Sequence, residues 1–184
     1  MWISPKYQLS DFPSGLSVDQ KIDVFEDRVE GWQLGVAQHL LDHYPHSGFA
    51  VLSIATSYFE MIAKYRCGYV GTGDSKRYFK EGVYWVWPPL HQYPTQKANK
   101  LLSKLYEEVR CSLYHGGLTG PSIMLTGEAQ APIELSADHQ RMVINPHLVV
   151  PQLRNHFQMY VSRLRDHAEP ELRSTFEARF DRGA

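Results

Sequence analysis

Between Ser47 and Cys67 the chain is apolar on nearly every face of a helix, through Phe49, Val51, Leu52, Ile54, Ala55, Tyr58, Phe59, Met61 and Ile62. A helix of that kind leaves little surface for water, so other elements must wrap it. Ser47 starts this segment, and Gly68, just past its end, is placed to stop it. The feature commits the chain to a helical assembly built around one central, most buried rod.

The flanking segments supply the wrapping. Ser17 is positioned as an N-cap, with Gln20 as the reciprocal partner of a capping box. Ile22, Phe25, Val29, Trp32, Val36 and Leu40 then recur at threes and fours to about His43, before Pro45. Asp74 or Ser75 caps a third helix to about Val86, which Pro88-Pro89 ends. A fourth is expected from about Thr95 to Tyr114 on the stripe Ala98, Leu102, Leu105, Val109 and Leu113, closed by Gly116-Gly117. The glycines of Gly68-Tyr69-Val70-Gly71-Thr72-Gly73 follow a helix rather than a strand, so they read as a loop and not as a phosphate-binding fingerprint.

The period then changes. Ile123-Met124-Leu125-Thr126, Ile133-Glu134-Leu135-Ser136 and Arg141-Met142-Val143-Ile144 are short β-prone runs, separated by Gly127, Pro132 and an Ala137-Asp138-His139-Gln140 turn. They read as a small antiparallel hairpin or meander over about 121–145. Asn145-Pro146 opens a long helix over about 147–168, and Pro170 begins a short last one. The expected fold class is mainly α: a bundle of about five to six helices with a small β insertion. At 184 residues one domain, 1–184, is the simplest division, with residues 1–17 as an extended lead-in.

Charge narrows the function. Lys and Arg number 19 against 20 Asp and Glu, a formal net charge of −1. No global positive field advertises nucleic acid, so any RNA contact must come from a local patch. The opening residues lack the charged-then-apolar pattern of a signal peptide, and no apolar run approaches the roughly 20 residues that span a bilayer. The expected setting is cytoplasmic, with no membrane partner and with Cys67 and Cys111 reduced.

The most specific run is Glu107-Glu108-Val109-Arg110-Cys111-Ser112-Leu113-Tyr114-His115-Gly116-Gly117. It sets Arg110 and His115 at the end of a helix with four residues between them. Histidine titrates near neutrality and can move protons, and arginine offers phosphate a fork of donors that never loses its charge. In the last turn, His115 faces the negative end of the helix dipole, which favours cations there. On an ideal helix, however, residues five apart are rotated by roughly 140°. The pair shares a face only if the helix unwinds, or if a second molecule completes the site.

With its apolar second helix through Ser57-Tyr58-Phe59-Glu60-Met61-Ile62-Ala63-Lys64-Tyr65, this run resembles the HEPN superfamily over roughly residues 20–120. That family is marked by an Arg, four to six intervening residues and a His near a helix end. The resemblance implies a metal-independent endoribonuclease without cofactor, acting as a homodimer that brings two motifs to one cleft. Arg110 would bind the scissile phosphate and His115 would transfer protons, with Glu60, Ser112 and Tyr114 in support. Relatives of this kind often act as toxins or in defence, which implies an antitoxin or other regulatory protein. Family nucleases commonly carry Asn, Asp or His directly after the Arg; here Cys111 stands there, and Ser112 is the nearest polar substitute. The alternative is a catalytically inactive HEPN-like module that binds a nucleotide or a protein partner, favoured by the neutral charge and by Cys111.

Other residues were weighed against plainer roles. Glu60, an acid on an apolar helix, needs a partner: Lys64 one turn on, or Arg110 or His115 from the neighbouring helix. His39 and His43, with His46 nearby, have zinc-ligand spacing but lack an evident third ligand, so no metal is assigned. Tyr84, Trp85, Trp87 and Tyr93 could stack bases, and aromatic density of this kind suits a core or an interface better. Arg154, Arg163, Arg165, His156 and His167 give the last long helix a basic side that reads as a solvated face. Cys111 beside Arg110 lacks the context of a nucleophilic thiol.

Overall fold

A computed structural model describes residues 1–136 and 140–183, so the expected turn at 137–140 lies outside the described residues except for Gln140. Helix accounts for 68% of the described residues, in six rods. The expected mainly helical bundle with a small strand insertion is therefore the fold.

The first rod is α1 (Val18–Val29) and α2 (Gly35–His43), joined without a break by a π turn over Glu30–Leu34. Ser17 and Gln20 form the capping box at its start, each side chain bonded to the other's backbone N–H. α3 (Gly48–Cys67) is the central rod, and Gly68 ends it in the left-handed conformation at φ 63°. α4 (Ser75–Val86) lies along it. The next rod repeats the device of the first: α5 (Thr95–Lys104), a π turn over Leu105–Cys111, and α6 (Ser112–Gly116). α7 (Pro146–Arg165), N-capped by Asn145, and α8 (Pro170–Gly183) complete the bundle.

α3 earns its central place by burial. Val51, Leu52, Ala55, Tyr58, Phe59, Ile62, Ala63 and Tyr65 are all buried, at about 1.5–3 kcal/mol for each large side chain. It packs against α2, α4, α7 and α8 together. Against α4 the backbones touch: a Cβ on Gly82 would lie 1.9 Å from the carbonyl oxygen of Phe59, so only glycine fits there.

The π turn of the first rod moves its apolar face. Ile22, Phe25 and Val29 are buried as the spacing predicts, but Trp32 and Val36 are exposed and Leu34, Ala37 and Leu41 are buried instead. One residue is inserted into the turn, which shifts everything after it by one position. In the later rod the stripe already steps by four from Leu105 to Val109 to Leu113, in phase with a wider turn, and all three are buried.

Two further expectations are corrected. Of the strands β1 (Ile123–Leu125), β2 (Ile133–Leu135) and β3 (Met142–Ile144), the last two pair antiparallel as a hairpin does, but β1 does not extend them into an antiparallel meander. Their order is β1-β3-β2, with β3 antiparallel to β2 but parallel to β1. Ile123, Met142 and Ile144 are the buried positions, and central placement of β3 lets both its inward residues reach the core. The lead-in is also more than extended chain. Trp2 bridges Gln8, Leu9–Asp11 forms a 3-10 turn, and Ile3 and Ser4 are buried against α1. Asp27 accepts the Lys6 N–H at 2.7 Å, and Arg28 donates to the Ile3 carbonyl. No described helix is long and apolar enough to cross a membrane.

Candidate functional site

A cleft of about 360 Å³ opens where α3, α6, the π turn before it and α8 meet. α3 contributes Glu60, Lys64 and three hydroxyl residues, Ser53, Thr56 and Ser57; the rod ending in α6 contributes Arg110 and Tyr114; α8 contributes Arg179. Three cations and one carboxylate therefore line it. The three hydroxyls donate to carbonyls one turn back on α3.

Glu60 sits at its centre of charge. Its Oε1 accepts from Lys64 Nζ at 2.6 Å and from Ser75 Oγ at 2.8 Å, and its Oε2 lies 3.8 Å from the Arg110 guanidinium. Both partners considered for Glu60 on α3 and on the neighbouring rod are thus present, the nearer bond going to Lys64. Burial alone would raise the carboxyl, but the hydrogen bonds from Lys64 and Ser75 and the charges of Lys64 and Arg110 outweigh it and hold it below its ordinary value. Lys64 also lies 5.9 Å from the rings of both Tyr69 and Tyr78.

The π turn sets Arg110 into this cleft. Its i→i+5 bonding ends where the Ser112 N–H reaches the Glu107 carbonyl, and Ser112 Oγ donates to the same oxygen at 3.0 Å. Ser112 therefore secures the helix turn and does not face the cleft. Arg110 lies over Tyr114 at 5.0 Å, and Tyr114 meets His115 edge to face at 5.1 Å. Glu60, Arg110 and Tyr114 are brought together at one cleft; His115 is exposed and does not line it, its ring meeting that of Tyr114.

Arg179 and the hydroxyl wall had not been anticipated. Arg179 Nε is buried and has no hydrogen-bond partner among the described residues, so a donor is left unspent beside the cleft. Its neighbours Phe176 and Phe180 are buried, and that packing fixes the face of α8 that Arg179 presents. An arginine flanked by buried phenylalanines at such spacing was the one available signal.

The remaining candidates have other partners. Arg154 pairs with Glu30 at 3.0 Å, Arg163 with Glu169 and Arg165 with Asp23 and Glu26, so the basic side of α7 is laced with carboxylates. His156 is not on a solvated face: its Nδ1 meets the Tyr58 hydroxyl at 2.8 Å, and burial, with Arg66 nearby, lowers it from 6.5 to about 4. The His39 and His43 rings lie 4.1 Å apart, tilted by 30°, and among the described residues no three His, Cys, Asp or Glu side chains converge as a metal site would need. Cys67 and Cys111 are free thiols. Trp87 is core, whereas Tyr84 is exposed.

Compared with protein-family models, curated proteins and solved structures, the chain matches none.

Proposed function

We propose that this chain is a binding module for a phosphate-bearing ligand, a nucleotide or a segment of RNA, of the kind an HEPN-like domain without catalysis would provide. The observation that carries the reading is the convergence of Lys64, Arg110 and Arg179 on one cleft with a single carboxylate between them. A doubly charged phosphate supplies the negative charge that three cations and one carboxylate leave unmatched. Titration of pyrophosphate into the protein by calorimetry tests it. Binding is expected, and Arg110→Ala and Arg179→Ala should each weaken it about tenfold; equal heats from all three proteins would reject the reading.

A second reading, a metal-independent endoribonuclease of HEPN type, is favoured by the ring contact that carries Arg110 through Tyr114 to His115. Arg110 would hold the scissile phosphate while His115 moves protons, leaving a 2′,3′-cyclic phosphate and a 5′-hydroxyl. Because His115 stands outside the cleft, the reaction would use a homodimer in which one chain's His115 serves its partner's Arg110. We place this activity in the cytoplasm, where free thiols persist, restrained by an antitoxin or another regulatory protein. RNA incubated in EDTA with wild type, Arg110→Ala and His115→Ala separates the readings. Cleavage by wild type alone supports the nuclease; intact RNA in all three, with pyrophosphate still bound, leaves the binding module.

A further inference from the structure

A second cleft, sharing no lining residue with the first, lies between α4 and α5. Its volume is about 270 Å³, and Tyr84, Trp85 and Tyr93 line it together with Thr95, Asn99, Lys80 and Glu81, whose carboxylate is already paired with Arg77 at 2.9 Å. Each ring already has a partner. Arg66 lies 4.2 Å from the centre of Trp85, Lys97 lies 4.5 Å from Tyr93, and the His91 ring lies 4.3 Å from that of Tyr84, tilted by 37°. None of those three residues lines the cleft.

That arrangement selects an occupant. The rings are held by these partners, so little side-chain freedom is lost when something enters. Two of them already satisfy a cation with their π-electrons, which makes the cleft a poor seat for a second one. A neutral planar ring suffers no such penalty and gains offset or edge contacts with three aromatics. Asn99 adds a donor and an acceptor side by side, the pair that reads the edge of a heterocycle carrying its own acceptor and donor. The volume lies below the roughly 300 Å³ at which drug-sized sites begin, which suits one ring system and not a chain of them.

We propose that the α4–α5 cleft binds a single neutral nitrogen heterocycle of the nucleobase class, stacked among Tyr84, Trp85 and Tyr93 and read at its edge by Asn99. The same chemistry can arrive as a free nucleoside or as an unpaired base in a strand. This site stands apart from the cationic cleft and does not depend on it.

The test is calorimetric titration of the full chain with adenosine, indole, choline and a single-stranded oligoadenylate, with the Trp85 indole N–H followed by NMR. Adenosine should bind and shift that resonance. Tyr84→Ala and Asn99→Ala, both at exposed positions, should each weaken it about tenfold, the scale of one stacked base. Arg110→Ala should leave adenosine binding unchanged whatever becomes of pyrophosphate. Measured on Arg110→Ala, so that the cationic cleft contributes less, oligoadenylate binding no tighter than adenosine assigns the site to a free ring, and tighter binding that Tyr84→Ala abolishes assigns it to a base within a strand; each sustains the proposal. Choline binding as well as adenosine, indole binding as tightly, or adenosine binding indifferent to both substitutions would overturn it, as would no adenosine binding at all.

Discussion

Arg110 stands 3.8 Å from Glu60, within reach of an ion pair but beyond a hydrogen bond, while Lys64 takes the carboxylate's other oxygen at 2.6 Å. Arg110 is thus held by charge rather than by a fixed bond, and its donors are free to turn toward another anion. Glu60 is the competitor such an anion must displace. Glu60→Gln keeps an acceptor for Lys64 and Ser75 but removes the charge, so pyrophosphate should bind about tenfold more tightly, equivalent to about 1.4 kcal/mol. Calorimetry against wild type measures it, and weaker or unchanged binding would contradict the competition.

Two buried tyrosines should respond in opposite directions to loss of one oxygen. The Tyr58 hydroxyl bonds His156 Nδ1 at 2.8 Å, whereas the buried Tyr160 hydroxyl has no partner among the described residues. Tyr58→Phe strands a half-buried ring nitrogen and should cost about 1–3 kcal/mol. Tyr160→Phe removes an unsatisfied group and should be neutral, or stabilising by about 1 kcal/mol. Urea unfolding of the two variants reads the signs directly.

His156 should make the fold sensitive to mild acid. Burial lowers it to about 4 in the folded protein, against 6.5 when unfolded. Above pH 6.5 the ring is neutral in both states and this contribution to stability is complete. As pH falls from 6.5 toward 4, only the unfolded chain takes up the proton, and stability declines; below 4 the folded state is protonated too and the loss stops growing. With the ring partly exposed, the loss is on the order of 2 kcal/mol. His156→Gln should flatten this part of the profile between pH 7 and 4.5, followed by unfolding midpoints; a wild-type slope retained in the variant would remove His156 as its source.

Gly82→Ala should be among the most damaging small substitutions in the chain. The new methyl would meet the Phe59 carbonyl at 1.9 Å and force α3 from α4, at a cost of about 3 kcal/mol or more. Gly116→Ala is the control, since a Cβ there meets nothing within 4 Å. It should leave stability unchanged or raise it by less than about 1 kcal/mol. Thermal unfolding of the pair tests whether close approach, and not helix propensity, sets the difference.

Much of the architecture could be read ahead of the structure because its signals are local. The Ser17–Gln20 box, the left-handed Gly68 and the Leu105–Val109–Leu113 stripe each depend on residues within one or two turns. The face of α2 was misread because a π turn at Glu30–Leu34 leaves no mark in composition, and so Trp32 and Val36 were assigned inward. Strand order escaped for a different reason: three short runs of similar character carry no record of which one lies in the middle. At the cationic cleft, Glu60 and Lys64 were legible as neighbours four apart, and Arg110 through its motif. Arg179 was not, since only the packing of α8 on α3 brings residues more than a hundred positions apart into one wall.

The π turn at Leu105–Cys111 has a consequence for comparing this chain with others. A protein with the same core but a plain α-helix here would be one residue shorter across the segment, and its alignment would open a single gap inside an otherwise continuous helix. The Arg110 side chain would keep its place while its distance in sequence from the preceding helix changed. Aligning the two by position along the helix would then set the arginine out of register, and superposing their carbon traces would bring it back.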